Sequence, residues 1–190
     1  MNIAERAQRI CLSPDSEWAV IAGETAALPA LISGYVLPLA GLSAMGSFVG
    51  SLMIGMSLGF AVLAAIVGLV FAIVGVVVLS AIIDALAPTF GAAKNSTSAA
   101  KVAAYAPTPA WVAGLFGFVP LVGGLIALIG ALYSLYLLYL GLMRVMKSPA
   151  DKAVGYTAVV VVIALVAGFV VSYITAMIGL GSAMPTMRSF

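Results

Sequence analysis

The chain has no histidine and one cysteine, Cys11, in 190 residues. Without histidine it lacks the commonest metal ligand and the usual proton shuttle near neutral pH. One cysteine cannot build a disulfide framework. Charge is scarce as well. Only 7% of the residues are Asp, Glu, Lys or Arg, where a soluble domain carries about 25%. None falls between Glu24 and Asp84, and none between Lys101 and Arg144. No basic cluster is dense enough for nucleic acid. No glycine-rich phosphate loop, cysteine dyad or intramembrane aspartate pair is present, so a cofactor-free protein that is not an enzyme is expected. The first thirteen residues lack the apolar core and cleavage site of a signal peptide.

What is present is apolar: 64% of the residues are hydrophobic, and the mean hydropathy is +1.26. A water-soluble fold of this length cannot hide so much apolar surface, so the solvent is lipid. In lipid the backbone must satisfy its own hydrogen bonds, which leaves a helical bundle or a closed barrel. A barrel strand alternates polar and apolar residues. Here the runs are continuous, as in 62–83 and 153–178, and so the fold class is all-α.

The order of elements follows from breakers and charges. Residues 1–12 suit a short amphipathic helix flat on the membrane surface, with Ile3, Ala7, Ile10 and Cys11 on its apolar face and Glu5, Arg6 and Arg9 away from it. A polar tail frayed in water is the alternative. Ser13-Pro14-Asp15-Ser16-Glu17 starts a second helix: a cap, a first-turn proline and two acids at the positive end of the dipole. Five spans are expected. The first covers 26–45, with possible bends at Pro29 and Pro38. An outer turn over 46–55 leads to a second span ending near Ile83. Pro88 and Gly91 stop that helix. A third span, 99–118, is interrupted by Pro107 and Pro109. A short outer turn at 120–124 precedes the fourth, 125–143, and the fifth covers 154–178. The organisation is then an N-terminal segment 1–24, a membrane domain 25–180 and a short tail 181–190.

Arg6 and Arg9, then Lys94 and Lys101, then Arg144, Lys147 and Lys152 fall on alternate connections, and the C-terminal tail has only Arg188. The positive-inside rule places the N-terminus in the cytoplasm and the C-terminus outside.

Several groups could carry chemistry. Asp15, Glu17, Glu24 and Asp84 fall on the cytoplasmic face, with Lys94 and Lys101 near enough to pair with Glu24 and Asp84. Carboxylates suit a hard cation or a proton, so these acids form a candidate ion or metal site. The plainer reading is hydrated interfacial charge or a structural ion pair. Tyr133 and Tyr136 share a face of the fourth helix, where they line a polar cavity with Ser134 or lock helices together. Tyr105 and Tyr156 stand near span ends, as interface residues or helix locks. Trp18 and Trp111 suit interfacial anchors. Ser43, Ser47, Ser51, Gly55 and Gly59 recur every four residues, as a stripe for close helix packing or a glycine-serine turn.

The chain resembles the bacterial branch of the Yip-domain family, named in eukaryotes for interaction with Ypt/Rab GTPases. The resemblance rests on Pro14-x3-Trp18-x2-Ile21-x2-Glu24 and on Asp84-Ala85-Leu86-Ala87-Pro88-x-Phe90-Gly91. It continues in Tyr105-Ala106-x-Thr108-Pro109, Pro120-x2-Gly123, Tyr133-x5-Tyr139-x-Gly141-Leu142 and Lys152-Ala153-x2-Gly155-Tyr156. It implies five spans, a cytoplasmic N-terminus and a multi-pass protein of the bacterial inner membrane. Two functions are expected from the chain as a whole. One is an organiser or scaffold that binds lipid or other membrane proteins and forms a homo-oligomer. The other is a transporter or channel for a proton, a metal ion or a small solute.

Overall fold

The computed structural model describes residues 2–119 and 122–183, and among them the chain is helical with no strand. Helix α1 is Ile3–Leu12, capped by the Asn2 side chain, which accepts from the Ala4 N–H at 3.3 Å. Helix α2 is Pro14–Gly23. Pro14 occupies its first turn, where a missing N–H loses no bond. Ser13 holds the cap position without a side-chain capping bond.

Helix α3 is Leu28–Met53 and α4 is Leu58–Phe90, whose last turn is 3₁₀. Then come two short helices, α5 at Ser96–Tyr105 and α6 at Thr108–Gly114, with a 3₁₀ turn at Leu115–Phe118. Helices α7, Val122–Arg144, and α8, Ala150–Ala183, complete the order. Four of these, α3, α4, α7 and α8, are long and apolar enough to cross a membrane. The protein is therefore a multi-pass membrane protein. The expected tail beyond Ala183 lies outside the described residues, as does Pro120 of the expected outer turn.

One boundary differs from expectation, for a packing reason. The turn expected over 46–55 begins later. Helix α3 runs on to Met53, and only 54–57 turn, with Gly55 at φ +82°. Gly46 is a contact point rather than a break. A Cβ there would stand 2.5 Å from the carbonyl oxygens of Gly114 and Leu115. This close approach outweighs the poor helix propensity of glycine. It also divides the expected stripe: Ser43, Ser47 and Ser51 stay on α3, while Gly55 and Gly59 fall beyond its end. Gly46 and Gly50, on the same helix, make its intramolecular seam.

The interruption expected in 99–118 falls where the prolines are. Pro107 and Pro109 bring no N–H, so the helix breaks between Tyr105 and Thr108. The Thr108 hydroxyl donates to the Tyr105 carbonyl at 2.6 Å, replacing the bond that Pro109 cannot give. Ala110 N–H finds the Ser134 hydroxyl of α7 at 3.2 Å. Pro38 is handled differently. The turn before it widens to a π-helix over Ile32–Val36, and Leu37 N–H bonds to Ile32 C=O.

Helix α1 is amphipathic and packs on the bundle through one face, with Arg6, Ala7 and Ile10 buried. Ile10 is fully buried, and the Cys11 carbonyl accepts from the Tyr133 hydroxyl at 2.8 Å. Tyr133 stands eleven residues before the end of α7, about 16 Å along the axis. One face of the N-terminal segment is thus buried in the bundle, and the other, with Glu5, Gln8, Arg9 and Leu12, is exposed.

The core is centred on α5. Every residue from Ala99 to Tyr105 is buried. Four of those seven are alanine, which lets neighbouring helices come close on all sides. Trp18, Ile21, Ile83, Val102, Leu137, Leu142 and Tyr156 are the large side chains packed about it.

Candidate functional site

Arg6 lies near the centre of the buried polar groups. It follows Ile3 by three residues and precedes Ile10 by four, so it projects on the same stripe as the apolar residues of α1. That stripe is buried, and Arg6 is only 7% exposed. Its guanidinium donates to Glu17 of α2 at 2.5 Å and to Glu24, the residue that ends α2. Its other face lies over the Tyr105 ring, with Cζ 5.5 Å from the centroid, a cation–π contact. Burial alone disfavours the charged form of Arg6. The hydrogen bond and charge of Glu24, then Tyr105 and Glu17, outweigh that and raise its pKa.

Lys101 joins the same cluster from α5. Its ammonium donates to the carbonyls of Ile21 at 2.9 Å, Ala22 at 3.0 Å and Glu24 at 3.0 Å. These are carbonyls at the C-terminal end of α2, where the helix has no donors of its own and carries partial negative charge. One ammonium with three protons satisfies three of them. Arg6 and Lys101 against Glu17 and Glu24 sum to zero charge, so the cluster is closed electrostatically.

From Tyr105 the polar groups continue toward the helix break. Its ring lies 4.5 Å from that of Tyr35, on the π-turn of α3. The Tyr35 and Thr108 hydroxyls are 2.9 Å apart. Because the Thr108 proton is committed to Tyr105 C=O, Tyr35 donates to Thr108. Arg6, Tyr105, Tyr35 and Thr108 therefore tie together α1, α5, α3 and α6. A cavity of about 260 Å³ opens beside Arg6, Tyr35 and Tyr105.

The acids expected to form one ion site are divided by these partners. Glu17 and Glu24 belong to Arg6 rather than to the expected lysines. Asp15 pairs with Arg144 of α7 at 2.8 Å on the surface. Asp84 stands apart on α4, one of its carboxylate oxygens buried without a hydrogen-bond partner among the described residues. No group of three or more histidine, cysteine or acidic side chains able to hold a metal occurs among the described residues. Lys94 is exposed and makes no ion pair there. Arginine won the carboxylates because its planar fork can reach two acids at once.

The tyrosines act between helices. Tyr133 links α7 to the end of α1. Its ring lies 5.7 Å from that of Tyr136, which is itself exposed. Tyr156 is fully buried; its hydroxyl donates to Ile83 C=O, and its ring stacks on Phe90 at 4.9 Å. Trp18 is inside the protein and not at a lipid surface, with 0% exposure. Its ring lies against Gly141, where a Cβ would stand 3.0 Å away, and its indole N–H has no partner among the described residues. Trp111 is half-buried at the break, lining an apolar groove of about 450 Å³ between α4 and α8.

Helices long enough to cross a bilayer, packed round a short buried helix and bolted to their own N-terminal segment, define a multi-pass helical membrane protein with an internal polar lock. The chain belongs to the Yip1 domain family, whose model matches residues 9–172. Neither a curated protein nor a solved structure matches the chain.

Proposed function

We propose that this Yip1 domain protein is a non-enzymatic organiser of the bacterial inner membrane, which gathers lipids and membrane proteins and assembles with copies of itself. The carrying observation is the surface of α4. Of its 29 α-helical residues only Ala61, Val76, Ser80 and Ile83 are buried. Its exposed residues include Val62, Leu63, Ile66, Val70, Val74 and Val77, and nothing lies within 4 Å of a Cβ built at Gly68 or Gly75. Such an open small-residue face is what helices use to approach one another in lipid. The charged half points the same way, because Glu17 and Glu24 are already paired with Arg6.

The chain crosses the membrane five times in this reading, with residues 96–118 as a broken third crossing. Lys101 meets the end of α2, and the Leu115 carbonyl meets Gly46 of α3, so this segment runs the length of the bundle. The lysine-rich connections face the cytoplasm with the N-terminus, and the C-terminus lies outside. The test is crosslinking in native membranes. Gly68→Leu is expected to remove a dimer crosslink through α4 while leaving Ser51→Leu assembled. Equal crosslinking of wild type and Gly68→Leu would overturn assembly through this face.

A further inference from the structure

The chain's cations are distributed unevenly among partners. Arg6, Arg9 and Arg144 each hold a carboxylate, and Lys101 holds three carbonyls. Lys94, Lys147 and Lys152 are exposed, and none makes an ion pair among the described residues. They come from two different connections, and the fold brings those together. Gly91, in the α4–α5 connection, touches Pro149 of the α7–α8 connection: a Cβ there would lie 3.3 Å from the proline ring and 3.6 Å from Lys152 Nζ. The Ser148 hydroxyl donates to Phe90 C=O at 3.2 Å and fixes the same junction. Lys147 takes a left-handed φ of 57°, a conformation that glycine or asparagine adopts more readily. Asp151, in the first turn of α8 with Lys152, is the acid nearest in sequence, and Arg144 at the end of α7 pairs with Asp15. The patch keeps a net charge of +2.

Below this patch α7 and α8 part. Val160 is the last buried residue of α8 among those described. Beyond it a crevice of about 240 Å³ opens between the helices, lined by Leu135, Leu138, Val161, Ala164 and Leu165. Val161 lies nine residues from Lys152, about two and a half turns along α8, so this crevice faces away from the lysines and is no part of their patch. Lysines without an ion pair at the end of apolar helices attract an anionic lipid head at the membrane surface.

We propose that the junction of the α4–α5 and α7–α8 connections is a seat for an anionic phospholipid. Its phosphate sits among Lys94, Lys147 and Lys152. The inference rests on the organiser reading, since it names the lipid that such a protein holds. The two fail separately, because lipid retention is read on detergent-extracted protein and assembly is read in membranes.

The experiment is native mass spectrometry of the purified full chain. It is offered equimolar phosphatidylglycerol and phosphatidylcholine with identical chains. Each lysine near an anionic lipid is worth about fivefold in affinity, so phosphatidylglycerol is expected to be retained at least about tenfold over phosphatidylcholine. Lys94→Gln/Lys147→Asn/Lys152→Gln should reduce that preference to within about twofold. All three side chains are exposed, and asparagine tolerates the left-handed backbone at 147. Equal retention of the two lipids by the wild type, or an unchanged preference in the variant, overturns the seat.

Discussion

Replacing Arg6 by methionine is the most direct test of the internal lock. Methionine keeps most of the length and apolar stem of arginine, so little packing volume is lost. What disappears is the cation shared by Glu17 and Glu24. Glu17 is 3% exposed and has no other ion pair among the described residues, so its carboxylate is left buried beside a second one. Removing one partner of a buried pair costs about 3–5 kcal/mol, because the remaining charge is uncompensated. Lys101 stays in place and softens the loss, so the lower end, about 3 kcal/mol, is expected. For a chain of this size that lowers the apparent Tm by roughly 6–12 °C in detergent. The double variant Arg6→Met/Glu17→Gln removes one of the stranded charges and should recover a third or more of the shift. The cycle formed with Glu17→Gln alone separates coupling from packing. A shift under about 2 °C for Arg6→Met, with no coupling in the cycle, would falsify the claim that this cluster holds α1 in the bundle.

Two further outcomes follow from the same geometry. Lys101→Met strands three carbonyls at the end of α2 and leaves the cluster with a net negative charge, so it should cost about 3 kcal/mol, read as loss of thermal stability; a neutral result would mean that water replaces the ammonium. Cys11 offers a pH-dependent reporter of α1. Burial raises the pKa of its thiol, so at any pH less of it is thiolate than of a free thiol. Its alkylation rate should keep climbing at pH values where a free cysteine has levelled off, and Tyr133→Phe, which frees the Cys11 carbonyl, should speed labelling. A rate profile matching that of free cysteine would show α1 undocked in solution.

The long apolar helices were legible because their signal is averaged over twenty or more residues. The breaks at Pro88, Gly91 and Pro107 were legible because proline and left-handed glycine act locally. Partners were not legible in the same way. Glu24 lies 18 residues from Arg6 and 77 from Lys101, and nothing in charge spacing says which cation it meets. A local clue did exist for Arg6. It stands four residues before Ile10, on the face that the apolar pattern assigns to burial. Counting it as polar moved it to the opposite face. The helix is amphipathic as its pattern says, but its buried stripe contains a charge.

The same reasoning explains why the centre of the fold looked weakest in the sequence. Helix α5 is short, alanine-rich and followed by two prolines, so neither hydropathy nor length marks it as a span. Those properties suit a central position. Alanine admits neighbours on every side, and the break allows Thr108 to turn a backbone defect into a hydrogen-bonded junction with Tyr35. A longer, more apolar helix would face lipid equally well in any rotation. The charge on Lys101 removes that freedom, because only one rotation points its ammonium at the end of α2. In this bundle polar groups set the register, and the apolar helices around them supply a surface for lipid and for other helices.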